Sequence, residues 1–259
     1  MKSTLRFLSI LFIMSYSAAD LNAQATTIAY SDGAQKLNGE LSIPKRPTKK
    51  NAGVLILPAW MGIDANARQS ASQLSAIGYY TFVADIYGEG NYPKSPKDAG
   101  AQAGYYKKNV TDYQRRIRLA LDQLIKAGAD SSNIVVIGYC FGGTGALEAA
   151  RSGLHVKGVV SIHGGLSRDT TRTIQPVTTR VLVLHGADDP TISQKDILAF
   201  QNEMRTAKAD WEMIYYANAV HSFTDKAAGT DNSKGAAYNE VAAKRSWSEL
   251  LRFLNEVLE

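Results

Sequence analysis

Apolar and polar positions alternate along the chain in two distinct rhythms. Short, almost continuous apolar runs stand at 53–57 (GVLIL), 79–84, 134–137 (IVVI), 156–162, 180–184 (RVLVL) and 211–216. Runs of this length predict strands buried on both faces. Between them lie stretches with helical spacing. Residues 66–77 predict a helix stopped by Gly78, and 110–127 one ended by Gly128. In the second, Val110, Tyr113, Ile117, Leu121 and Leu124 share a face, while Asp112, Arg115, Arg116 and Asp122 point elsewhere. Residues 193–207 and 236–258 predict two more helices, the last with Val241, Trp247, Leu251, Leu254 and Leu258 near one face. Residues 26–31 and 36–43 predict a hairpin turning at Asp32-Gly33. Residues 91–104, rich in Gly, Pro and Ser, predict an irregular surface loop. Strands alternating with helices imply an α/β fold, a mostly parallel central sheet with helices on both faces.

One junction between the two rhythms stands out. The apolar run 134–137 leads directly into Gly138-Tyr139-Cys140-Phe141-Gly142, and a small-residue helical stretch, 145–151, follows. Strand, G-x-C-x-G and helix together have the form of a nucleophile elbow with cysteine in the serine position. The two glycines leave room in a strained turn, and the thiol stands above the carboxyl edge of the sheet. The N–H of Phe141, at a helix N-terminus, can face a developing oxyanion. A lone cysteine is more often a small buried filler; the strand before this one and the helix after it argue for the nucleophile.

Composition then narrows the setting. Lys2 and Arg6 precede an apolar stretch, 7–14, too short to span a bilayer, and Ala23-Gln24-Ala25 fits a small-x-small cleavage site. Residues 1–25 therefore read as a secretory signal peptide, which implies a periplasmic or secreted protein with no membrane association after cleavage. Taking 25 residues from 259 leaves 234, enough for a single domain over 26–259, and no repeat or linker divides it. Cleavage lowers the net charge from +5 to about +4. The dense basic cluster, 45–50 (KRPTKK), reads as a solvated turn, so no nucleic-acid partner is expected. The single cysteine precludes an intrachain disulfide. An unpaired thiol in an exported protein is exposed to oxidation, and nucleophilic catalysis is a sufficient reason to keep it.

A thiol nucleophile needs a base on the same sheet edge. His221, in the loop after the last strand, is the candidate; His155 lies away from that edge, and His163 and His185 are competitors near it. The orienting carboxylate belongs after the preceding strand, where Asp188 and Asp189 stand. Asp189, three residues after Gly186 and followed by Pro190-Thr191-Ile192, is the choice, leaving Asp188 to hold the loop by turn-type hydrogen bonds. The chain order Cys, Asp, His is the order this fold demands.

From 53 to the C-terminus the chain resembles the dienelactone hydrolase family of α/β-hydrolases. The resemblance rests on GYCFGG at 138–143, HGADDPTI at 185–192 and HSF at 221–223. It implies a catalytic triad of Cys140, Asp189 and His221, and a second oxyanion N–H from the turn after the first buried strand, at Trp60. It further implies a glutamate in that turn, where this chain has Ala59, and two carboxylate-binding arginines, where it has Gly88-Glu89 and Thr224-Asp225. These departures argue against dienelactone itself and for neutral esters, unless a basic side chain from the 91–104 region (Lys94, Lys97, Lys107 or Lys108) folds over the site.

The reading is a cysteine-dependent hydrolase of small-molecule esters or lactones that needs no cofactor and no metal, since the four histidines are not at metal-motif spacings. Met61, Tyr87 and Phe223 are expected to wall the substrate pocket, and a monomer or weak homodimer is expected. The alternatives are a non-catalytic ligand-binding protein on a hydrolase fold and a thiol sensor without turnover.

Overall fold

The computed structural model describes residues 25–258. The signal peptide expected over 1–25 therefore lies, apart from Ala25, outside the described residues. The rest is an eight-stranded sheet in the order β1-β2-β4-β3-β5-β6-β7-β8. β1 (Thr26–Asp32) and β2 (Gln35–Ser42) form the hairpin. Asp32 pairs with Gln35, so the turn is Gly33-Ala34, one residue later than expected. β1 with β2, and β2 with β4 (Tyr80–Val83), pair antiparallel, and from β4 onward the pairings are parallel, through β3 (Gly53–Leu57), β5 (Ile134–Tyr139), β6 (Gly158–Ile162), β7 (Arg180–Gly186) and β8 (Trp211–Tyr216). The apolar runs are continuous because alternate residues of each strand enter two different cores. Leu55, Val136 and Val183 pack on one face of the sheet, and Val54, Ile137 and Leu184 on the other.

The helices are α1 (Ala65–Ala76), α2 (Pro96–Lys108), α3 (Val110–Lys126), α4 (Phe141–Arg151), α5 (Gln194–Thr206) and α6 (Glu240–Leu258). Of these, α2 overturns the expected loop at 91–104. Ser95 caps it by accepting the Asp98 N–H at 3.2 Å, and Pro96 occupies the first turn, where its missing N–H is harmless. Pro and Ser there are start signals, and Gly100 and Gly104 lie inside the helix, whose Ala99, Ala103 and Tyr106 are buried. Arg116 of α3 is buried rather than turned outward, because its Nε reaches Asp32 of the hairpin at 2.8 Å. α6 starts at Glu240, not 236, since Ala236 instead bridges to His221. Its inner face is Ala242, Ser246, Leu250, Phe253, Leu254 and Leu258, while Val241 is exposed.

Candidate active site

The elbow forms where β5 meets α4. Cys140 has φ 52° and ψ −111°, a conformation that costs a non-glycine residue roughly 1–3 kcal/mol. Two absent side chains permit it. A Cβ on Gly138 would stand 1.9 Å from the carbonyl oxygen of Gly142, and one on Gly142 would stand 2.1 Å from that of Leu57. The glycines are thus space, not flexibility. For the same reason α4 begins at Phe141, four residues earlier than the expected 145. The close approach of Gly142 also lays the end of β3, and the turn after it, against the start of α4.

Phe141 is buried between Tyr113 and Tyr87, stacked on them with ring centroids 4.6 and 5.7 Å away. Each such pair adds about 0.5–1.5 kcal/mol beyond burial. The Tyr113 hydroxyl donates to the carbonyl oxygen of Phe141 at 2.9 Å, and that of Tyr87 to the carbonyl oxygen of Trp60 at 2.8 Å. Tyr87 therefore braces the two residues expected to supply the oxyanion donors, through the Phe141 ring and the Trp60 carbonyl, and does not line the cavity beside the thiol. As the first residue of α4, Phe141 has an N–H with no acceptor inside the helix.

The structure brings Cys140, His221 and Asp189 together. His221 Nε2 is 3.0 Å from Cys140 Sγ, and His221 Nδ1 is 2.8 Å from Asp189 Oδ2. The other oxygen of Asp189 accepts from the backbone N–H of Thr191 at 2.8 Å and from its hydroxyl at 2.6 Å. The Asp189 side chain is inaccessible to solvent. Burial alone would raise its pKa, but the hydrogen bonds from His221 and Thr191 outweigh that and lower it. Burial likewise disfavours a charged His221, yet its bonds to Asp189 and Cys140 push its pKa up to about 10. The imidazole stands between the thiol on one side and the carboxylate on the other. Asp188 is exposed and holds the loop through its backbone N–H, which donates to Ala219 at 3.0 Å. The side-chain turn bonds expected of it belong to Asp189. His155 is exposed; His185 and His163 are buried.

Beside the thiol lies a cavity of about 500 Å³. Cys140, just before α4, and Thr144 and Glu148 on it line the cavity at intervals of four residues, so one face of that helix is its floor. Lys107, at the end of α2, and Arg168, on the loop after β6, add two cations to its wall. The Arg168 guanidinium donates to the carbonyl oxygens of Asp169 and Arg172 rather than to a carboxylate. Glu148 is already engaged by Arg151 and Arg172 at 3.0 and 2.7 Å. The expected pocket residues are elsewhere. Met61 borders a different cavity, with Ile63 and Tyr92, and Phe223 is fully buried against Tyr216 and His163. For Phe223 a tertiary contact decides this, and a lone aromatic in a loop carries no sign of it; Met61 is exposed. Thr191 was legible in hindsight: Asp-Pro-Thr is a sequence in which an Asp side chain caps the turn after it.

Known proteins share this fold. The dienelactone hydrolase family matches residues 37–258. A dienelactone hydrolase-like promiscuous phosphotriesterase from metagenomic libraries superposes with a TM-score of 0.84 at 32% identity, covering 91% of this chain and 99% of that one. A Bradyrhizobium protein named "Probable 2-oxo-3-(5-oxofuran-2-ylidene)propanoate lactonase" is 27% identical over 84% of this chain and 90% of its own. The human carboxymethylenebutenolidase homolog is 22% identical over 83% of this chain and 86% of its own.

Proposed function

The chain belongs to the dienelactone hydrolase family, and on that premise we propose that it is an exported hydrolase of small esters or lactones working through an acyl-enzyme on Cys140. The observation that carries the reading is the unbroken chain from the thiol through His221 to the buried Asp189, at 3.0 and 2.8 Å. A carboxylate in that place fixes the ring tautomer and stabilises the imidazolium.

The steps follow from the positions of the groups. The Cys140 thiolate attacks the carbonyl carbon, and the oxyanion receives hydrogen bonds from the N–H groups of Phe141 and Trp60. The tetrahedral adduct collapses with loss of the alcohol, which takes its proton from His221 Nε2; in a lactone this alcohol stays on the acyl chain. Neutral His221 then removes a proton from water, the hydroxide attacks the thioester, and the Cys140 thiolate leaves. The imidazolium–thiolate pair is thereby restored and the carboxylic acid released.

The cavity also bears on substrate charge. Gly88-Glu89 and Thr224-Asp225 supply no cation, but Lys107, one of the four lysines able to take that part, lines the cavity together with Arg168. The carboxylates of Asp169 and Glu148 line it as well, so the preference for neutral esters expected from the missing arginines is weakened rather than reversed, and we take carboxylated esters to be accepted alongside neutral ones.

An activated ester such as p-nitrophenyl acetate tests the reading. Release of one equivalent of nitrophenol in a burst, followed by steady turnover, is the expected course. A burst without turnover would leave a thiol sensor, and neither burst nor turnover a binding protein.

A further inference from the structure

His163 has no part in these steps, yet its placement is too costly for a filler of the core. It follows directly on β6 with φ 41°, a backbone conformation rare outside glycine, and is 2% exposed. An apolar residue in a relaxed conformation would fill the space more cheaply. Both ring nitrogens are engaged, in opposite directions. Nδ1 lies 3.2 Å from the backbone N of Cys140, whose N–H is shared between it and the carbonyl oxygen of Ile162 at 3.0 Å. Nε2 lies 2.9 Å from the Thr224 hydroxyl, which Asn66 also approaches, at 3.4 Å. Because Nδ1 accepts an N–H, the ring proton resides on Nε2, and Thr224 is the acceptor. Burial foremost, and then the His221 charge, lower the pKa of His163 to about 3, so the ring stays neutral. Its plane meets His221 edge-to-face at 5.4 Å and Phe223 at 5.2 Å.

His163 therefore touches the nucleophile's backbone on one side and residues 221, 223 and 224 on the other. We propose that His163 is a positioning residue: it ties the strained turn of Cys140 to the loop that carries His221 and so sets the thiol–imidazole contact. This rests on the catalytic reading of Cys140 and His221 above. The groups facing the ring that titrate are His221, Asp189, His185 and Tyr139; those facing the thiol are His221, Tyr87 and Tyr113.

The test is the pH dependence of iodoacetamide alkylation of Cys140, measured with kcat and KM for p-nitrophenyl acetate. Four proteins are compared: wild type, His163→Phe, His163→Asn and Thr224→Val. Loosening His221 removes a cation from beside the thiolate, so in His163→Phe the alkylation profile should move about one pH unit upward. The same variant should lose roughly 10–100-fold in kcat, with KM within about threefold. His163→Asn keeps an acceptor near the Cys140 N–H and tolerates positive φ, so it should recover most of both. Thr224→Val, which keeps the imidazole and removes its acceptor, should fall between, and it carries the test if His163→Phe does not fold. An unmoved alkylation profile in His163→Phe and Thr224→Val, with kcat within about twofold of wild type, would overturn the proposal. So would equal impairment of the Phe and Asn variants. Alkylation does not require ester turnover: a wild type that alkylates with the expected variant shifts but hydrolyses no ester would refute the catalytic reading and leave His163 in its positioning role.

Discussion

Two cavities of similar size flank the end of β5, and only one of them opens onto the Cys140 thiol. The cavity floored by α4 has a volume of about 500 Å³; the other, between α1 and α6, about 440 Å³. Successive residues open onto them: Cys140 lines the first, and Tyr139, together with Asn66, Thr224 and Trp247, the second. Both cavities have polar and apolar walls, so neither volume nor polarity marks the site. The difference lies in one turn. Positive φ at Cys140 swings its side chain out of the strand and toward His221, whereas Tyr139 ends the strand regularly and bonds Ser70 at 2.8 Å. On the proposed reading chemistry follows backbone strain here, and the cavity behind the same strand takes no part in it.

The sharpest way to break the comparison is to remove the thiol. Cys140→Ala should reduce ester turnover to background, a loss on the order of 10⁴-fold or more. Undiminished turnover would send the search to the other cavity. Next in size is the carboxylate. Asp189→Asn should lower kcat by up to roughly 10⁴-fold through the wrong tautomer, though an ion-paired thiol loses less. Asp188→Asn should stay within about threefold, because only the backbone of Asp188 holds the loop. The reverse order of damage in steady-state assays would reassign the acid.

Acid stability separates His163 from His221. His163 has a folded-state pKa of about 3, below the ordinary value of 6.5. Its neutral burial therefore stabilises fully above pH 6.5 and is lost as the pH falls toward 3, at about 1.4 kcal/mol per pH unit. His185, lowered mainly by burial, acts in the same direction. His221 has the opposite sign: its raised pKa gives stability that is whole below 6.5 and fades as the pH rises through about 10. Urea melts of His163→Asn between pH 4 and 7 should show a flatter acid slope than wild type. Equal slopes would mean that His163 is solvated or charged.

Smaller effects probe the walls. For a matched pair of esters, one neutral and one with a terminal carboxylate, Lys107→Ala and Arg168→Ala should each lower kcat/KM for the charged ester by about twofold to fivefold and spare the neutral one. Equal losses on both esters would remove charge recognition from this wall. Gln73→Leu, in the α1–α6 cavity, should change kcat/KM by less than about twofold. A larger change would show that the second cavity is coupled to the first.

The sequence carried the sheet, the elbow and the convergence of Cys140, Asp189 and His221, because each follows from a rule readable along the chain. Continuous apolar runs record burial on both faces, and Gly138 and Gly142 record a turn that no Cβ fits. Asp189 and His221 follow from chain order. What it did not carry was set by contacts between distant segments. Ser95-Pro96 and two glycines have the composition of a loop, and Tyr106 packing on Phe141, with ring centroids 6.5 Å apart, helps to hold the segment as a helix. Tyr87 has the character of a pocket aromatic until its hydroxyl is found on the carbonyl of Trp60. The bridge from Cys140 through His163 to Thr224 spans 84 residues of sequence and leaves no pattern in it.

The central claim is that an acyl group passes through Cys140, and intact-mass analysis tests it most directly. Wild-type protein quenched in acid after brief exposure to p-nitrophenyl acetate should gain the mass of one acetyl group, located on the peptide that contains Cys140 and lost again as substrate is consumed. Cys140→Ala should gain none. An adduct that persists on the variant, or turnover by wild type with no acetylated Cys140, would contradict the account.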